Sequence, residues 1–240
     1  MTKKATKRAP KKKSKTGSNK ANWHKILRWI GIGGLACFIA VFIVFRFVPI
    51  PTTPYILSEK SRLGSVYSEW MPIEEISDTL KVTIVAAEDV NFCQHWGFDM
   101  SAIRAAIQDG GARGASTLTQ QVVKNTFLWH GRSWMRKTLE AFLTPVVELF
   151  WSKERILEVY LNVAEFDEGV FGAEAASLHY FGISSDSLTL AEAARLAAIL
   201  PDPKGRSASA PTQFVLDRAD NIQDGAVLIQ KDHRSRCFMD

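Results

Sequence analysis

The chain has 240 residues, 46% of them hydrophobic and 23% charged, an ordinary globular balance that suits one sizeable domain plus an appendage. Its formal charge of +5 is uneven: residues 1–28 hold eleven Lys or Arg and no acid, leaving nineteen basic against twenty-five acidic residues in the remainder. A mildly acidic body excludes the basic folded surface that nucleic-acid binding requires, so no nucleic-acid partner is expected.

In chain order, residues 1–28 form a basic tail, expected to be solvated, disordered and loosely attracted to anionic lipid. Residues 29–47 are expected to be a transmembrane helix. Its apolar run, Trp29 to Phe45, has seventeen residues without a charge and spans about 25 Å as a helix, slightly short of a hydrocarbon core of about 30 Å. Arg28 and Arg46 flank it and can snorkel to the headgroups. The excess of basic residues before the run puts the N-terminus in the cytoplasm and the body outside. No small-x-small cleavage site follows the run, and Gly34 stands where a lipoprotein site at Cys37 would need an aliphatic residue. A buried soluble helix is the plain alternative, but the positive flank and apolar circumference fit a bilayer better. Residues 48–54 (Val48-Pro-Ile-Pro-Thr-Thr-Pro54) cannot continue a helix and read as a stiff linker. The body is assigned to residues 55–240.

Helical signals dominate the body. Ile76, Leu80 and Ile84 recur at i+4 before Val85-Ala-Ala-Glu-Asp89. Ser101 opens a second helix stopped at Gly110-Gly111. Thr117…Gln120 and Thr189…Glu192 have capping-box form, and Ser152 caps a helix from Lys153 to Asn162 on which Ile156, Val159 and Tyr160 share a face. Gly64-Ser-Val-Tyr-Ser-Glu69 is the best strand candidate. The expected fold is mainly α.

Some polar residues are left over from core building. Glu88 and Asp89 end an apolar helix and lead into a loop with His95, Gly97 and Asp99. A carboxylate there can be partly desolvated and raised towards a pKa useful for base catalysis; a solvated helix end with a capping Asp is the plain alternative. From Gly114 to Leu128 a glycine turn opens a capped helix, whose unpaired N–H groups and dipole suit an anion such as pyrophosphate. Gln120 and Lys124 share a face there, so Lys124 can add a cation; an ordinary amphipathic helix is the alternative. Arg132, Arg136, Lys137 and Glu140 follow among Trp129 and Trp134, where a surface ion pair at i, i+4 is the modest reading. The stretch from Lys153 to Gly182 reads as architectural.

The cysteines Cys37, Cys93 and Cys237 form neither an even framework nor a CxxC pair, so no disulfide is expected, with oxidative pairing of Cys93 and Cys237 as the alternative. The histidines give no HExxH or other zinc pattern, and no GxSxG marks a serine hydrolase.

Taken together, Glu88-Asp…Phe92…His95-Trp-Gly-Phe-Asp99, Gly114-Ala-Ser-Thr…Gln120-Gln…Lys124-Asn, Arg136-Lys…Glu140, Lys153-Glu-Arg-Ile-Leu-Glu-Val-Tyr-Leu-Asn162 and Leu188-Thr-Leu-Ala-Glu-Ala-Ala194…Leu200-Pro201 resemble glycosyltransferase family 51. The resemblance is strongest to its monofunctional peptidoglycan transglycosylases and runs from about Val48 to at least Lys204. It implies a lysozyme-like α-helical domain with a membrane-associated lobe, acting at the bacterial inner membrane. The implied activity is polymerisation of lipid II onto a growing glycan strand, with undecaprenyl pyrophosphate released. Glu88 would be the general base that takes the acceptor hydroxyl proton, and Glu140 the second essential carboxylate. Ser116, Lys124 and Arg132 would contact the donor pyrophosphate, supported by Asp89, Gln120, Gln121, Arg136 and Lys137. No protein-built metal site is implied, although a divalent cation (Mg or Mn) could accompany the pyrophosphate. Partners would be the lipid substrate, the strand, the membrane and other cell-wall synthesis proteins.

This chemistry suits the residues. Pyrophosphate leaves without protonation, so one base and a cationic cradle suffice for inverting transfer, whereas glycosidases also need a general acid. A lytic transglycosylase, or an inactive membrane-anchored scaffold, is the alternative. Three departures from the family pattern stand out. The Asp99–Gly114 segment is short, Cys93 replaces a common aromatic, and the tail after Arg218 lacks the Trp-Ile…Arg-Gln-Met pattern. No SxxK with a KTG partner occurs, so crosslinking is expected to fall to other proteins.

Overall fold

The structure, a computed structural model, describes residues 19–110, 114–131 and 133–239. The chain divides into two compact units, Met1–Ile43 and Val44–Asp240.

The first unit is built on helix α1 (Asn19–Phe45). Described from Asn19 onward, the helix takes in the stretch from Lys20 to Arg28 as well as the apolar run. Residues 1–18 of the basic tail lie outside the described residues. The candidate apolar span is Trp23–Phe45, 23 residues whose most apolar 18-residue window has a mean hydropathy of 2.2. At about 1.5 Å per residue it covers about 35 Å, which removes the shortfall of the seventeen-residue run.

The second unit is mainly helical. Its helices are α2 (Pro54–Leu63), α3 (Asp78–Glu88), α4 (Met100–Gln108), α5 (Leu118–Phe127), α6 (Trp134–Phe150), α7 (Lys153–Val163), α8 (Ala173–Phe181), α9 (Leu190–Ile199), α10 (Gln213–Lys231) and α11 (Arg236–Met239). A small sheet has the order β1-β3-β2, from β1 (Tyr67–Ser68), β2 (Glu165–Asp167) and β3 (Val170–Phe171). β1 runs parallel to β3, while β2 is antiparallel to it with a register shift between Glu165 and Asp167.

Capping explains where most helices begin. Thr53, Ser77, Asp99, Thr117, Ser133, Ser152, Thr189 and Thr212 each accept a backbone N–H from the first turn of the helix they precede. Each satisfies a donor with no partner inside the helix, worth about 1 kcal/mol. Both expected capping boxes are present.

The core has two parts. Helices α3, α9 and α10 pack on one another, and α5 packs on α6 and α7. Ile156, Leu157, Val159, Tyr160 and Leu161 of α7 are almost fully buried. Arg155 of α7 donates to the carbonyls of Phe45 and Val48, at 3.0 and 2.6 Å.

Helix α6 is inverted relative to an ordinary surface helix. Trp134, Met135, Leu139, Phe142 and Leu149 are exposed, Trp134 at 91%, while Glu140, Thr144 and Glu148 are buried. At 3.6 residues per turn the five apolar residues fall on one face and the three polar ones on the other.

The expectation of no disulfide is overturned. Cys93 and Cys237 are bonded, with their Cα atoms 5.7 Å apart. Neither residue sits in a recognisable spacing motif, because 144 residues separate them and the fold alone brings them together. The bond joins α11 to the loop after Glu88, beside the fully buried rings of Phe92 and Phe238. Cys37 is free and exposed.

Candidate active site

Glu88 is the last residue of α3, at the end of the buried run Leu80 to Val85. Its carboxylate accepts a hydrogen bond from Gln121 Nε2 at 2.7 Å. Burial raises the Glu88 pKa above the ordinary carboxylate value. The Gln121 hydrogen bond and the charges of Arg218 and Lys124 pull it back down, and Asp89 adds to the rise. A carboxylate so placed is a better base than one in water.

The neighbouring Asp89 carboxylate is held by contacts inside the fold. It is buried, accepts from His95 Nε2 at 2.8 Å and accepts the backbone N–H of Leu118, the first residue of α5, at 2.9 Å. Asp89 thus ties the loop to the start of α5. Gly97 holds the other side of this loop. Its φ is +86°, and a Cβ there would lie 2.6 Å from Thr144 Cγ2 of α6; its carbonyl accepts from Thr117 Oγ1 at 2.7 Å.

Lys124 lies one turn beyond Gln120 and on the same side of α5 as Gln121. Among the described residues its ammonium has no hydrogen bond or ion pair. Burial lowers its pKa, opposed by the nearby charge of Glu140 and reinforced by that of Arg136. Glu140, from the inner face of α6, is 2% exposed. It pairs with Arg136 at 3.0 Å and with Lys137, and Lys137 reaches Ser116 Oγ at 3.3 Å. The cluster therefore offers three cations around one buried carboxylate, with one of them, Lys124, unpaired.

Two grooves adjoin the Glu88–Gln121 hydrogen bond. One, about 360 Å³, is lined by Glu88, Asp89, Gly114, Ser116 and Thr117. The other, about 290 Å³, is lined by Gln121, Lys124, Asn125, His130, Tyr160 and Lys204 among others. In the second, the Tyr55 and His130 rings stack with centroids 3.3 Å apart. Burial, then the charges of Lys124, Arg136 and Lys204, push His130 down to about 4, so it is neutral at physiological pH.

A carboxylate of raised pKa in one groove and an unpaired cation in the next suit transfer of a group between two bound partners. A family model described as Transglycosylase matches residues 57–226. The chain belongs to that family. A relative from Jannaschia sp. (strain CCS1), named biosynthetic peptidoglycan transglycosylase, is 53% identical over 235 residues, covering 97% of this chain and 98% of the relative. A second with the same name, from Pseudomonas putida (strain W619), is 50% identical over 205 residues, 81% of this chain and 85% of its own length.

In this transglycosylase the residues singled out by sequence gather around one region, with two adjustments. Arg132 lies outside the described residues. The start of α5 is not an open anion cradle: the Leu118 N–H goes to Asp89, the Gln120 N–H to Thr117, and Gln120 Oε1 accepts the Thr117 N–H. Gln120 is buried in the capping box, and the positive charge comes from side chains, Lys124, Arg136 and Lys137, rather than from bare backbone. Sequence reasoning missed Tyr160, set aside as architectural on α7. Its hydroxyl reaches Gln121 Oε1 at 3.4 Å, so α7 also supports the transglycosylase site. An aromatic with a polar tip on an otherwise apolar helix face was the available signal.

Proposed function

We propose that the chain polymerises peptidoglycan glycan strands, taking lipid II as substrate and joining sugars by inverting transfer. The observation that carries this reading is the raised, partly buried Glu88, hydrogen-bonded to Gln121, with the unpaired Lys124 one turn further along α5. Glu88 removes the proton from the acceptor hydroxyl as that oxygen attacks the donor sugar. Lys124, with Lys137 and Ser116, meets the diphosphate as its charge grows. Arg136 and Lys137 pair with Glu140, and Glu140 in turn fixes where those two cations stand. The leaving group needs no acid, so a single base accounts for the reaction.

A divalent cation finds no protein-built site among the described residues. Both Glu140 oxygens are engaged by Arg136 and Lys137, and no group of three or more potential ligands comes together. No step is assigned to a metal.

The enzyme works at a membrane, with its body on the outer face of a bacterial inner membrane. The apolar span Trp23–Phe45 supports anchoring, and the basic residues before it support a cytoplasmic N-terminus. The Cys93–Cys237 disulfide supports an oxidising compartment for the body. The outward apolar face of α6 supports a lobe dipped into lipid, where a lipid-linked donor resides.

The test supplies purified full-length protein with lipid II and, separately, with finished glycan strands. Strand growth with β-linked product, and no cleavage of finished strands, is expected. Cleavage without growth would assign the chain to the lytic class instead.

A further inference from the structure

One charged side chain beside the site belongs to none of the motifs that marked it. Arg218, Ile222 and Gly225 follow one another at i, i+4 and i+7 along α10, and so share a face. That face lies against the end of α3: a Cβ on Gly225 would meet the Ala86 Cβ at 3.5 Å. Arg218 is carried along the last turn of α3, where Ala86 and Ala87 directly precede Glu88. It lines a groove of about 380 Å³ with Phe214, Asn221, Ala86 and Ala87. The same two alanines line the groove that holds Glu88, Asp89 and Ser116, so the two grooves meet over small side chains.

Arg218 is also poorly compensated. Its Nε is buried with no hydrogen-bond partner, and its guanidinium has no ion pair among the described residues. A partly desolvated charge without partners is a net cost to folding, so packing gives no reason for an arginine here.

We infer that Arg218 is a positioning residue for the reaction, its fixed charge keeping the Glu88 carboxylate ionised once a diphosphate has engaged Lys124. The inference rests on Glu88 being the base. The groups facing Glu88 are Gln121 and Lys124 from α5, Tyr160 from α7, Arg218 from α10 and its neighbour Asp89. Burial and Asp89 favour the protonated acid, whereas the Gln121 hydrogen bond, then Arg218 and Lys124, favour the carboxylate. When Lys124 turns its charge to the substrate, Arg218 is the cation that remains. Because the base must be ionised, activity falls as pH drops through the Glu88 pKa. Loss of Arg218 raises that pKa and moves the acid limb upward.

The experiment measures lipid II polymerisation against pH for the full chain, R218Q and R218K, with E88Q as control. For R218Q the acid limb moves up by about one pH unit and activity at a pH on that limb falls about tenfold, recovering on the alkaline side. R218K, which keeps the charge, retains the wild-type limb. An R218Q profile that is lowered equally at all pH values, or not lowered, overturns the inference. Should R218Q fail to fold, R218M, which keeps an unbranched apolar stem and removes the charge, is read in its place: an acid limb moved up supports the inference, and an undisplaced limb overturns it. Activity in E88Q would remove the base assignment itself, whereas an inactive E88Q with an undisplaced R218Q limb sinks only the role of Arg218.

Discussion

The Cys93–Cys237 bond gives the sharpest stability test. It closes a loop with a sequence separation of 144 residues, for which loop-closure entropy alone amounts to about 5 kcal/mol at 25 °C, with about 2–5 typical when a native bond is removed. For a body of this size each kcal/mol shifts Tm by about 2–4 °C, so C93S/C237S is expected to melt about 5–15 °C below the wild type. Because the bond holds the loop that carries Asp89 and His95, polymerisation should fall as well. The assay is thermal unfolding of the purified protein with and without a strong reductant. Reductant should lower the wild-type Tm towards that of the double variant and leave the variant unchanged. A wild-type Tm that ignores reductant, or cysteines that react with a thiol reagent in the unreduced folded protein beyond Cys37, would refute the reasoning.

Other outcomes follow from single contacts. Gly97→Ala combines left-handed strain with a Cβ 2.6 Å from Thr144 Cγ2 and should cost about 2–5 kcal/mol; a Tm within a degree of wild type would contradict the close approach. Lys124→Ala should weaken binding of a diphosphate-bearing lipid analogue about ten- to a hundredfold, the loss of one charge-assisted contact, and unchanged affinity in a fluorescence titration would remove that role. In vesicles with bromine-labelled acyl chains, Trp134 should be quenched, read as the difference between the full chain and W134F. No difference would mean that the α6 face stays in water.

Much of the fold was legible because its signals are local. Ser152 and the Thr117 and Thr189 capping boxes each mark a helix start from a few adjacent residues, and Gly110 marks an end. Helix α1 was legible as a span but not in its extent. Lys25 and Arg28 broke the apolar run, although a helix tolerates charges at its polar end. What the sequence hid depends on distant contacts. Cys93 and Cys237 carry no spacing signal, the outward apolar face of α6 resembles a core-facing one until its neighbours are known, and the Asp89 carboxylate fills the start of α5 from 29 residues away. In the site, Glu88, Lys124 and Glu140 stood out through residue type and motif. Tyr160 and Arg218 did not, because an aromatic on a buried helix and an arginine on a long amphipathic one both have ordinary explanations.

In the proposed reaction Glu88 moves a proton while Lys124 and its neighbours hold the diphosphate. E88Q, assayed side by side for lipid II polymerisation and for binding of a non-reacting diphosphate lipid analogue, separates the two roles. E88Q should bind the analogue as the wild type does and form no strands. Strand synthesis near the wild-type rate, or loss of binding together with activity in a protein that melts normally, would contradict that division of roles.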